Sequence, residues 1–207
     1  NLISVYLLQE KYNKVEEIAK KFDCAEIQSQ LVTAYINQRL YDKAQMVINK
    51  YPKFPIMQSQ LISIYIEKWK ESAKEKMLDE AEQKAKEFSE YLPIQSQLIT
   101  IYMLKGEYDK AEKLAKRFPN YAPIQSQLVT IYIKKWKDEE AVKIADNFKW
   151  YEPIQEQLFE LYMNQNNFKK AKEIADFMPH SRIIKNKFLS FRNITGGDKL
   201  ADDDFDR

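Results

Sequence analysis

Chain breakers are scarce: among 207 residues there are 3 glycines and 7 prolines. That scarcity argues against an all-β chain and favours helices, and a hydrophobic content of 44% argues against disorder. There is one cysteine, Cys24, which excludes an internal disulfide framework and a cysteine-rich zinc site. It is expected to be a small buried or half-buried side chain rather than a reactive one, and it fits a reducing compartment, so the expected location is the cytoplasm. The single histidine, His180, stands beside Pro179 in a link and is expected at the surface rather than as a general base. There is no glycine-rich phosphate loop and no Ser/His/Asp set. No signal peptide and no apolar run long enough to span a bilayer is present. Charge of either sign is also not in excess. Lys and Arg number 33 against 31 Asp and Glu, a formal net charge of +2. Such a balance demands neither nucleic acid nor an anionic membrane. No catalytic residue, metal ligand or cofactor is therefore expected. The chain starts at Asn1 without an initiator methionine, and it is expected to lack its true N-terminus.

What the sequence has instead is repetition. The string IQSQL occurs at Ile27–Leu31, Ile94–Leu98 and Ile124–Leu128, with MQSQL at Met57–Leu61 and IQEQL at Ile154–Leu158. A tyrosine follows each leucine by four residues: Tyr35, Tyr65, Tyr102, Tyr132 and Tyr162, with Tyr6 in the same relation to Leu2. A second aromatic keeps the same beat at Phe22, Tyr51, Phe88, Phe118, Phe148 and Phe177. Ala44, Ala81, Ala111, Ala141 and Ala171 fall between them, with Val15 in the first copy. Three markers in step across six copies define a repeat.

Each copy reads as a helical hairpin. In the fourth, Ile94, Leu98, Ile101 and Tyr102 share one helical face. Pro93 suits the first turn, where its missing N–H costs nothing. Lys105-Gly106-Glu107 turns the chain, and Tyr108, Ala111, Leu114, Ala115 and Phe118 line the second helix. Acid-before-base pairs at four-residue spacing, such as Glu112 with Lys116 and Glu80 with Lys84, are expected on a solvated outer face. Tyr91, Tyr121 and Tyr151 are expected to staple one copy to the next. One hairpin cannot bury its apolar face alone, but stacked neighbours can. The expected fold is thus all-α: an α-solenoid of about six antiparallel helix pairs. The array spans 1–179, with units at 1–23, 24–53, 54–91, 92–121, 122–151 and 152–179. A capping helix at 180–195 and an acidic, disordered tail at 196–207 follow. The third copy holds extra residues, expected either as two lengthened helices or as a longer mobile connection. More copies upstream of Asn1 are expected.

Leu98, Tyr102, Gly106, Tyr108 and Ala111, with a proline closing the unit, resemble the tetratricopeptide repeat. The unit is 30 residues where that family has about 34. Ile99, Val129, Val32, Ile62 and Phe159 stand where it has a small residue. The resemblance implies a concave groove lined by first helices that holds a peptide or helix of a partner protein. Carried over by position, the groove residues are Ser96, Gln97, Thr100 and Met103 in the fourth copy. Their equivalents are Ser29, Gln30 and Thr33; Ser59, Gln60 and Ser63; Ser126, Gln127 and Thr130; and Glu156, Gln157 and Glu160. Basic residues that would clamp a terminal carboxylate are absent from these positions.

The first glutamine of each string, Gln95 in the fourth copy, is expected to reach back to the free N–H groups of its own helix. The Ser/Gln/Thr stripe has two compatible readings, a polar ladder between copies and a ligand surface suited to main-chain amides. Trp150, unmatched in other copies, is a candidate contact residue. Together these features point to a non-enzymatic protein-interaction scaffold of unknown oligomeric state. The alternative is an RNA-binding repeat protein. The groove lacks the cations that phosphates need. Lysines do flank Trp69 and Trp136, which could form a stacking edge. Those tryptophans are expected instead to fill the site that Gly106 leaves open.

Overall fold

A computed structural model describes residues 2–194, with side chains for residues 2–190. The tail at 196–207 lies outside the described residues. Thirteen helices and no strand are found among them, in two compact units that meet in sequence between Glu107 and Tyr108. Unit 1 holds α1 (Leu2–Leu8), α2 (Tyr12–Lys21), α3 (Ala25–Asn37), α4 (Tyr41–Ile48), α5 (Pro55–Ser72), α6 (Glu75–Lys86) and α7 (Leu92–Leu104). Unit 2 holds α8 (Tyr108–Ala115), α9 (Ala122–Lys134), α10 (Asp138–Asn147), α11 (Glu152–Asn164), α12 (Phe168–Phe177) and α13 (Arg182–Ile194).

Packing follows chain order. In unit 1 the first helices α1, α3, α5 and α7 contact one another in succession, and each second helix packs between the first helix before it and the one after. In unit 2 the first helices α9 and α11 meet side by side, and α13 packs on α11 and α12. The core shows why. Leu31 and Ala34 of α3 pack back onto Ile3, Val15 and Ala19 of the preceding copy. Val32, one residue round the helix, joins Ala44 and Ile48 of α4 and Met57, Leu61 and Ile64 of α5. Each first helix therefore has two buried faces. Fully burying each such Ile, Leu or Met contributes about 1.5–3 kcal/mol. The small residue of each second helix (Ala44, Ala81, Ala111, Ala141, Ala171) is wholly buried, where a larger one would hold the helices apart.

The first helices end alike. One residue per copy has left-handed backbone: Glu10, Arg39, Gly106, Trp136 and Asn166, with φ between 55° and 74°. The next N–H then reaches back five residues to the repeating tyrosine's carbonyl: Lys11 to Tyr6, Leu40 to Tyr35, Glu107 to Tyr102, Lys137 to Tyr132 and Asn167 to Tyr162, at 2.8–2.9 Å. This is the Schellman stop. Only Gly106 adopts that backbone without Cβ strain. The third copy differs. Its α5 has 18 residues against 13 for α3 and α7, its α6 has 12, and the stop moves to Ala73, φ 52°. The extra sequence thus lengthens both helices and is not a loose connection.

Pro55, Pro93, Pro123 and Pro153 all lie in the first turn of a first helix. The tyrosine N-caps Tyr91, Tyr121 and Tyr151 are half-buried and extended, and their carbonyls accept the next helix's first N–H bonds.

Candidate interaction face

The two glutamines of each string do different work. The first is buried in all five copies: Gln28, Gln58, Gln95, Gln125 and Gln155 are 2–8% exposed. Its amide nitrogen donates to the carbonyls that end the preceding second helix or turn. Gln28 Nε2 donates to the oxygens of Ala19 (2.8 Å) and Phe22 (3.2 Å), and Gln58 to Tyr51 (3.2 Å). Gln95 donates to Phe88 (3.1 Å), Gln125 to Phe118 (2.9 Å), and Gln155 to Ala145 (3.0 Å) and Phe148 (3.3 Å). This corrects the expectation that Gln95 serves its own helix start. The free N–H groups of Ile94 and Gln95 already meet the Tyr91 carbonyl, at 2.9 and 3.1 Å. The Phe88 carbonyl, which already accepts the Tyr91 N–H at 3.2 Å, has a second lone pair for a donor.

The second glutamine crosses between first helices. Gln60 Nε2 donates to Ser29 O (2.8 Å) and Thr33 Oγ1 (2.9 Å). Gln97 Nε2 donates to Ser59 O (3.0 Å) and Ser63 Oγ (2.8 Å), and Ser59 Oγ donates back to Gln97 Oε1 (3.0 Å). Gln157 Nε2 donates to Ser126 Oγ (2.9 Å). Gln30 makes no such side-chain bond among the described residues. The hydroxyls of Thr33, Ser63, Thr100 and Thr130 are turned inward, each onto the carbonyl four residues earlier. A ladder is therefore present. It joins α3, α5 and α7 in unit 1 and α9 and α11 in unit 2. Ser29 is buried, and Ser59, Gln60, Ser63, Ser96, Gln97, Thr100, Met103, Ser126, Gln127, Thr130, Glu156 and Gln157 are half-buried.

In the last copy the stripe turns acidic. Exposed Glu160 pairs with Lys187 of α13. Burial, then the neighbouring Glu152 charge, pushes the Glu156 carboxyl above the usual carboxylate range. Trp150 lies in the α10–α11 turn, outside the helices that carry the stripe. It is 69% exposed, with its ring edge-on to Tyr151 at 5.6 Å.

A second set of rungs had no counterpart in the sequence reading. Lys135 Nζ lies 2.6 Å from both Asp109 Oδ1 and Glu112 Oε2, one copy earlier. Lys105 repeats this with Asp79 (2.8 Å) and Glu82 (2.6 Å). Lys68 meets Asp42 and Gln45, and Gln165 meets Asp138. The signal was legible as a lysine or glutamine 26 or 27 residues after an aspartate. Glu82 and Glu112 are consequently buried, which corrects the placement of Glu112 on a solvated face. The Lys116 ammonium, 2.6 Å away, and then that of Lys135 hold the Glu112 carboxyl down at about 2. The two acids in turn raise Lys135 well above the usual lysine range.

The tryptophans correct a further expectation. Trp69 lies within lengthened α5 and is half-buried, but Trp136 occupies the left-handed stop and is 89% exposed. It fills nothing. Among the described residues no group of three His, Cys, Asp or Glu side chains is placed to hold a metal ion, and no helix is long and apolar enough to cross a membrane. Compared with known proteins, the chain matches no family model and no curated protein.

Proposed function

We propose that this chain is a non-enzymatic interaction scaffold, a tetratricopeptide-like α-solenoid, that holds an extended peptide or a helix of a partner protein along its first helices. The observation that carries this is the ladder. It fixes a strip of amide and hydroxyl groups on side-by-side helices and leaves them half-exposed. A surface held in place beforehand loses little entropy when a ligand docks. Its groups are neutral over most of their length, which suits main-chain amides. The RNA alternative is weakened by the rungs, because Lys68 and Lys135, beside the two tryptophans, are tied to carboxylates. We place the scaffold in the cytoplasm, which fits its one free cysteine.

The test is site-specific photocrosslinking in the native cell. A photoreactive residue at Thr100 or Thr130 should trap one discrete protein, and one at exposed Lys113 or Lys143 should not. Equal trapping at all four positions would defeat the proposal. So would salt-sensitive retention of RNA in a filter assay, which would favour the alternative.

A further inference from the structure

We infer that unit 1 carries a pocket for a lysine or arginine side chain presented by a partner protein. The lengthened third copy builds it. Trp69, in the added part of α5, and Leu78 of α6 meet Leu104 at the end of α7 around a cavity of about 210 Å³. Leu78 is buried and the other two are half-buried, so these walls are apolar. The remaining lining is charged: Glu75, Asp79, Glu107 and Lys105. The Lys105 ammonium is already held between Asp79 and Glu82. Glu75, exposed in the first turn of α6, adds a carboxylate outside that rung.

An aromatic wall beside an acidic mouth selects for one kind of side chain. A long alkyl stem covers Leu78 and Leu104, and its cationic end meets the Trp69 ring and Glu75. A neutral stem gains only the walls, and a phosphate is repelled at the mouth. The size fits one side chain rather than a whole small ligand. The fifth copy is the contrast. Trp136 aligns with Trp69 in sequence, but without the added helical turns it stands 89% exposed. The pocket lies off the Ser/Gln/Thr stripe and does not depend on the stripe binding anything.

The experiment uses the full 207-residue chain with Trp136→Phe and Trp150→Phe. Both rings are exposed, so the fold is kept and Trp69 becomes the sole indole. Its fluorescence and indole N–H resonance are followed against blocked pentapeptides with a central lysine, arginine or norleucine, and against n-butylammonium. The lysine and arginine peptides should saturate with a Kd on the order of 1 mM, about tenfold tighter than norleucine or the free amine. Glu75→Lys should weaken them by about tenfold with the helical circular dichroism unchanged. The inference is overturned by no response at Trp69, by equal binding of norleucine (a bare apolar cavity), by equal binding of n-butylammonium (a small-amine site), or by indifference to Glu75→Lys. None of these outcomes touches the stripe, whose crosslinks at Thr100 and Thr130 report separately.

Discussion

The repeated glutamine-serine-glutamine string combines two solutions to one problem, the polar groups that helix ends and close helix contacts leave over. The first glutamine must donate to carbonyls from inside a closed space, so no hydrophobic residue replaces it without loss. Gln95→Leu keeps the volume but removes one of the two hydrogen bonds that the Phe88 carbonyl accepts, leaving the one from the Tyr91 N–H at 3.2 Å. It should cost about 0.5–1.5 kcal/mol in urea unfolding, and a cost near zero would mean that water replaces the lost bond. Sequence alone located this residue and its structural role but not its partner. The helix whose end it caps lies earlier in the chain, and the spacing of letters does not show which backbone groups Tyr91 has already satisfied. Trp136 poses the converse case. Its left-handed backbone suits glycine, as Gly106 shows at the same place in the preceding copy, where a Cβ would meet nothing within 4 Å. Trp136→Gly should therefore raise the thermal midpoint, by the equivalent of about 0.5–1 kcal/mol. A fall would show that the exposed indole stabilises the fold in a way that its exposure conceals.

Between elements, the rungs of lysine and acid show how charge serves a chain whose net charge is near zero. Glu112 sits between Lys116 and Lys135 and titrates near 2, below its unfolded value of about 4.3. A carboxyl lowered on folding stabilises the fold above the unfolded value, and that contribution disappears as pH falls toward 2. Glu112→Gln should thus cost about 1–2 kcal/mol at neutral pH, a figure reduced for solvent screening at the half-exposed Lys116. The gap from the native chain should shrink to about a quarter by pH 2.5 and close only below the native value. Urea midpoints at the two pH values decide it, and a gap that persists undiminished in acid would assign the loss to packing. The helices themselves were readable in advance because apolar spacing, proline starts and the tyrosine beat all report local geometry. The rungs were not, because they join residues a whole copy apart, and a lysine near a tryptophan suggests a nucleic-acid edge until its acid is seen. The third copy was readable as longer helices or a looser connection. What decides is Glu75–Lys86, which packs along α5 as a complete helix.

Across the molecule, contacts stay close in chain order. Within each unit a helix touches only helices one or two places away, so among the described residues no distant segment locks the ends together. Such an arrangement opens in pieces, because the loss of one interface leaves the others intact. This extends to the candidate face. The stripe was legible as residues, since Ser96, Gln97 and Thr100 lie off the apolar face, and a ladder between copies was one of its two readings, but the atoms that pair are fixed only once first helices lie side by side. A scaffold whose surface is assembled from neighbours should lose that surface locally. Phe159 is 1% exposed, and its ring meets Phe188 of α13 edge-on at 6.4 Å. Phe159→Ala should destabilise its surroundings by about 3–5 kcal/mol. In hydrogen exchange, amides of α11, α12 and α13 should then exchange far faster, those of α9 should follow, and those of α3 and α4 should keep native protection. Uniform acceleration through every helix would show instead that the chain unfolds as one cooperative body, and a stripe built copy by copy would then be the wrong picture of how this surface is held.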